Sequence, residues 1–196
     1  MLYITSDPIG TGKERTCFVH PEDPRKVIKI STGEVREQSR REIRFYRKLK
    51  KRRKTNIPHI PKFYGLCETN LGEGIVVDLI RNYDGEISRP LNWYLTEGYP
   101  IEYFESCLVE LRQSLLENLI VFHHDMALEN LFLQKHSTST AHLVAIGGLG
   151  DAVVLDWLDF FPPLVRYKIR SQWECFITLF YHNQEVRQPR EAADSE

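Results

Sequence analysis

Residues 9–30 read IGTGKERTCFVHPEDPRKVIKI. Two short runs rich in β-branched and aromatic residues, Cys17-Phe18-Val19 and Val27-Ile28-Lys29-Ile30, stand here between Gly10, Gly12, Pro21, Asp23 and Pro24. Runs of this kind bounded by Gly, Pro and Asp are strands, and the first thirty residues predict three of them, antiparallel. Working outward, Lys62 to Glu68 and Gly74 to Ile80 supply two more. Between the two groups, from about Val35 to Lys54, the pattern turns helical, with Ile43, Tyr46 and Leu49 three apart. Pro58 and Pro61 are read as closing that helix.

The segment Arg81-Asn82-Tyr83-Asp84-Gly85 breaks the composition, and beyond it the chain reads as mostly helical. Leu91 to Thr96 is a short helix, and Ile101 to Asn118 carries Phe104, Cys107, Leu108, Leu111 and Leu115 on one stripe. Leu164 to Tyr181 repeats the pattern with Val165, Ile169, Trp173, Phe176 and Phe180, which read as core. A sheet-rich front and a helix-rich back make an α+β chain. The division expected is residues 1–81, residues 82–183 and a polar tail over residues 184–196.

With 196 residues, 42% hydrophobic and 27% charged, the composition excludes disorder, collagen-like repeats and coiled coil. Lys and Arg number 26 against 27 Asp and Glu, so a polyanion site has to be local. No apolar stretch has the length and flanks of a signal peptide or a spanning helix. Cys17, Cys67, Cys107 and Cys175 form neither a zinc pattern nor a disulfide framework, which reads as a reduced, cytoplasmic protein away from membranes.

Four groups of residues bear chemistry. Gly10-Thr11-Gly12 between two strands lets backbone N–H groups approach a phosphate, or is a plain hairpin; Arg15 stands where a third glycine of the usual pattern falls. Lys29, inside an apolar strand, must find an anion or reach water, and Glu42 in the following helix is either its partner or a solvated glutamate. Residues 123–133, HHDMALENLFL, place His123, Asp125 and Asn130 in a loop between a helix and an apolar run. Asp125 could orient a hydroxyl or take its proton, and Asn130 could give an amide oxygen to a divalent metal; the alternative is a turn with a helix-capping histidine.

This ordered set, glycine hairpin, strand lysine, helix glutamate and HxDxxxxN, resembles the protein-kinase superfamily. More closely, residues 9–30, RREIRFYRKL at 40–49 and IPHIPKFYGLCETNLGEGIVVDLIRNYDG at 57–85 resemble the YrbL-type proteins of the bacterial PhoP regulatory network, a small kinase-like family. The resemblance implies a two-lobe fold, with a small antiparallel-sheet lobe bearing one helix and a truncated helical lobe. It implies ATP and Mg²⁺ as cofactors, Gly10 and Gly12 over the phosphates, Lys29 on the phosphates and Glu42 holding Lys29. Asp78 would open the adenine-binding hinge, Asp125 would be catalytic together with Lys29, His123 would pack and orient, and Asn130 would bind metal.

The chain departs from the kinase pattern at Gly147, which falls where the metal-binding aspartate of the strand after the loop is expected, with Asp151 a nearby substitute. Ala127 and His124 replace a lysine and an arginine of the kinase loop, and little chain remains for a substrate platform. The expected function is therefore ATP binding with phosphotransfer to an unidentified protein or small molecule. The alternative is a degenerate pseudokinase acting as a regulatory or protein-binding module. The basic run from Arg40 to Lys54 reads as a solvated helix face whose cations complement the helix dipole, with a polyanion site as the alternative. Near-zero net charge and no groove-reading motif argue against nucleic acid.

Overall fold

The computed structural model describes residues 1–33, 36–123, 126–150 and 161–185, so Asp125, Asp151 and His124 lie outside the described residues. Strands β1 (Gly10–Thr11), β2 (Arg15–His20), β3 (Asp23–Ser31), β4 (Phe63–Thr69) and β5 (Gly72–Asp78) form one antiparallel sheet in the order β1-β2-β3-β5-β4. Cys17 pairs with Lys29 and Lys29 with Ile75, so β3 is central and its apolar run lies between two neighbours. Alternation then sorts β3 to two faces. Val27 joins Ile75 and Val77 in the main core, while Ile28 and Ile30 join Phe18, Val76 and Ile4 in a second cluster. The N-terminal segment lies along the sheet edge. Leu2 donates its N–H to the Glu68 carbonyl, and the Asn70 amide bonds both backbone groups of Ile4.

Helix α1 (Glu37–Lys51) buries Arg41, Glu42, Phe45, Tyr46 and Leu49. It ends earlier than proline closure implies. Arg53 adopts φ 56°, its N–H reaches the Lys50 carbonyl, and the Lys54 N–H reaches the Leu49 carbonyl. That pair of bonds satisfies the last carbonyls and stops the helix at Lys51, seven positions before Pro58.

Beyond Arg81 the chain forms β6 (Arg89–Pro90), α2 (Leu91–Thr96), a 3₁₀ turn at Ile101–Phe104 leading into α3 (Glu105–Asn118), β7 (Leu131–Lys135), β8 (Ala141–Ala145) and α4 (Pro162–Glu185). The strands β6, β7 and β8 make a second antiparallel sheet. Strand β8 ends at Ala145, and Gly148 and Gly150 beyond it take φ of 69° and 83°. Glycine adopts such values at no steric cost. On α4, Val165, Ile169, Trp173, Phe176 and Phe180 are all buried, so this helix closes the core. Its Gln172 bonds both backbone groups of Phe122, fixing the start of the loop that holds His123. The chain is thus α+β, and one apolar cluster runs from Val27 to Phe180. Among the described residues no helix is long and apolar enough to cross a membrane.

Candidate functional site

Lys29 has 5% of its surface exposed and Glu42 3%, so neither charge can be hydrated. Their partners are therefore decisive. Lys29 Nζ donates to Glu42 Oε1 at 2.9 Å and to the Ile146 carbonyl at 2.7 Å, which joins β3, α1 and the turn after β8 at one ammonium. The second carboxylate oxygen, Glu42 Oε2, accepts from Arg15 NH1. Burial alone would raise the Glu42 carboxyl, but the Lys29 ammonium and Arg15 guanidinium outweigh it and hold the group below its ordinary range. The site thus contains two buried cations and one buried carboxylate.

Arg15 is the member that the sequence reading missed. It pairs with Ser31, two positions along from the Cys17 to Lys29 pair, and so shares a sheet face with Lys29. Strand parity carried that signal, but only once the hairpin register was known. Arg15 is also where the glycine hairpin closes, since the Gly12 N–H donates to the Arg15 carbonyl at 2.8 Å. Gly10 and Gly12 are exposed, neither has a positive φ, and a Cβ at Gly10 would meet nothing within 4 Å. Among the described residues, no neighbour requires glycine at position 10.

Ile146 connects this cluster to the loop that follows α3. Its carbonyl accepts from Lys29 and its N–H donates to the Asn130 carbonyl at 2.9 Å. The His123 N–H donates to the Gly148 carbonyl and the Gly150 N–H to the Val121 carbonyl, so residues 121–123 lie beside 148–150. Asn130 closes a 3₁₀ turn over Leu128–Asn130, with its side chain against Gly147. A Cβ built on Gly147 would sit 2.5 Å from Asn130 Oδ1. The space that a side chain at 147 needs is occupied.

The structure does not bring Asp78 into this cluster. Its carboxylate accepts from the Lys62 N–H and the Tyr64 hydroxyl, each at 2.8 Å. The backbone N–H groups of Asp78, Leu79, Asn82 and Tyr83 all donate to carbonyls of the chain. In the basic run, Arg40, Arg44, Arg47, Lys50 and Lys51 are exposed, but two members are not part of a solvated face. Arg41 is 8% exposed, and Lys54 Nζ donates to the Glu117 carbonyl and Asn118 Oδ1 at the end of α3.

Sheet, helix and turn together define an α+β protein with a buried lysine held by a helix glutamate and braced by an arginine. The family model described as PhoP regulatory network protein YrbL matches residues 3–180, and the chain belongs to that family. It is 30% identical to the YrbL proteins of Escherichia coli (strain K12) and Shigella flexneri, over 94% of this chain and 91% of theirs.

Proposed function

We propose that this YrbL-family chain is protein-kinase-like and binds a nucleotide, ATP, beneath the glycine hairpin. The observation that carries the reading is the buried Lys29 ammonium, held at 2.9 Å by Glu42 from a separate element and at 2.7 Å by the Ile146 carbonyl. Two of the three ammonium hydrogens are thereby fixed, and the third, with no acceptor among the described residues, is left to meet an anion. One positive charge in excess, close to the hairpin of Gly10 and Gly12, is suited to a polyphosphate. A two-lobe arrangement, with the five-stranded sheet and α1 as one lobe and the chain beyond Arg81 as the other, goes with this reading.

Gly147 favours a second reading of the same site, in which nucleotide is bound as a regulatory ligand and phosphotransfer is lost. Position 147 offers no carboxylate, and Asn130 Oδ1 fills the place where one would start. Positioning and charge neutralisation account for most of phosphoryl transfer, so a missing carboxylate there removes part of the machinery itself.

Nucleotide binding is tested by the thermal midpoint of the full chain with and without millimolar ATP, in wild type and in Lys29→Met. A ligand at 100 times its Kd stabilises by about 2.7 kcal/mol, which is a shift of a few degrees. An upward shift absent from Lys29→Met supports binding, and no shift with or without Mg²⁺ overturns it. Transfer is a separate measurement, ATP turnover in wild type against Gly147→Asp. Turnover by the wild type excludes the second reading.

A further inference from the structure

Phosphate charge in a kinase-like site is ordinarily offset by metal ions held on carboxylates. At position 147 this chain does not fit that arrangement, because the residue there has no side chain and the volume is taken by the neutral amide of Asn130. Fixed positive charge has accumulated on the opposite side. Lys29 and Arg15 share the one carboxylate of Glu42. Among the described residues, the hydrogen bond found for the Arg15 guanidinium is the one from NH1 to Glu42 Oε2. Arg41, the residue just before Arg15's partner Glu42 in α1, is 8% exposed, and among the described residues its buried Nε has no hydrogen-bond partner. Burial lowers its affinity for the proton, Glu37 and Glu14 act against that, and Arg15 and Arg44 repel it. A buried guanidinium without a paired anion is costly, and an incoming anion relieves the cost.

We infer that this chain binds nucleoside triphosphate free of divalent metal, with the Arg15 guanidinium joining Lys29 to supply the countercharge that Mg²⁺ supplies in metal-dependent sites. The inference rests on the nucleotide reading above and deepens it. Arg15 is suited to the role by its place in the chain. It closes the glycine hairpin through its carbonyl and turns its side chain to the face of Lys29, so a phosphate under the hairpin meets both cations. A guanidinium gives two parallel N–H donors to phosphate oxygens.

The experiment is calorimetric titration of the full chain with ATP in excess EDTA and again in excess Mg²⁺, with wild type, Arg15→Gln and Arg15→Lys. The wild type is expected to bind ATP in EDTA at least as tightly as in Mg²⁺. Arg15→Gln is expected to weaken binding in EDTA about tenfold, the effect of one charge-assisted hydrogen bond, and to affect the Mg²⁺ complex much less. Arg15→Lys is expected to recover much of the binding in EDTA, which a purely structural need for the guanidinium fork would not allow. Wild-type binding that requires Mg²⁺ overturns this inference and leaves the nucleotide reading standing. Equal losses in both media for Arg15→Gln, without rescue by lysine, also overturn it. No binding in either medium removes the nucleotide reading and this inference with it.

Discussion

On the sheet side of Ile146, Lys29, Glu42 and Arg15 are held by paired charges whose positions follow from strand register; on the loop side, Asn130 and Gly147 are held by shape, one residue occupying what the other lacks. The two sides meet at one peptide unit, whose carbonyl serves Lys29 and whose N–H serves Asn130. Paired buried charges tolerate almost no change, since removing one leaves its partner unhydrated. A steric fit fails more gently, because a flexible amide can turn aside. The contrast teaches that the lysine cluster is the fixed reference of this site, and that the loop side is where its chemistry is open to change.

The largest expected effect comes from breaking the sheet side. Glu42→Ala leaves Lys29 and Arg15 buried without their shared carboxylate, and should cost about 3–5 kcal/mol. Urea unfolding checks it through the midpoint at unchanged slope. A loss under about 1 kcal/mol would show that water reaches the pair and that the cluster is not the anchor described here.

The loop side should yield less. Gly147→Ala puts a methyl against Asn130 Oδ1, and overpacking of this size costs about 1–3 kcal/mol. If the cause is that contact, Asn130→Ala should absorb most of the penalty, giving a coupling of about 0.5–3 kcal/mol in the double-mutant cycle. Additive losses would place the cost of the alanine elsewhere.

A third effect belongs to the seam between the two sides, where residues 57–60 lie along β8. His59 Nδ1 and the Leu143 carbonyl are 2.8 Å apart, the Ala145 N–H donates to the His59 carbonyl, and His142 Nε2 bonds the Pro58 carbonyl at 2.9 Å. His142 also bonds His136 through its Nδ1. Burial lowers the pKa of His142 from its ordinary 6.5; the Pro58 carbonyl opposes this, His136 and His59 add to it, and Glu110 opposes it. A lowered histidine pKa means that the unfolded chain binds the proton more readily. The contribution is therefore present above pH 6.5 and is lost as pH falls through the folded value. Stability measured by urea titration should fall below pH 6.5, and His142→Gln should flatten that fall. An unchanged slope in His142→Gln would assign the pH dependence to other groups.

How much of this was legible before the structure depends on how local each signal is. Lys29 could be singled out because an ammonium inside Val27-Ile28-Lys29-Ile30 has to find an anion, and Glu42 was within reach in the next helix. The short helix Leu91–Thr96 and the apolar stripe of α4 follow from spacing alone. Arg15 was hidden because its face depends on the β2 to β3 register, which shifts between Val19 and His20. The Asn130 to Gly147 fit joins two loops and has no local trace. The strand β6 consists of two residues, one of them Pro90, which no strand pattern would select and which an edge position tolerates.

The smallest expected effect lies at the far end of the helix that carries Glu42. Arg53 holds φ 56° to complete the two terminal hydrogen bonds of α1, in a region where a side chain costs about 1–2 kcal/mol and glycine almost nothing. Arg53 is exposed and no ion pair of its own is found among the described residues, so little is lost with its side chain. Glycine also has more freedom to lose on folding, which offsets part of the gain. Arg53→Gly should therefore raise stability, by up to about 1 kcal/mol, visible as a small increase in the urea midpoint. The ATP-induced thermal shift should stay as it is in the wild type, because the change is three turns of helix from Glu42. If the shift changed with the helix end, the lysine cluster would be coupled to the whole of α1, and the sheet side would be no fixed reference but a part that moves with its helix.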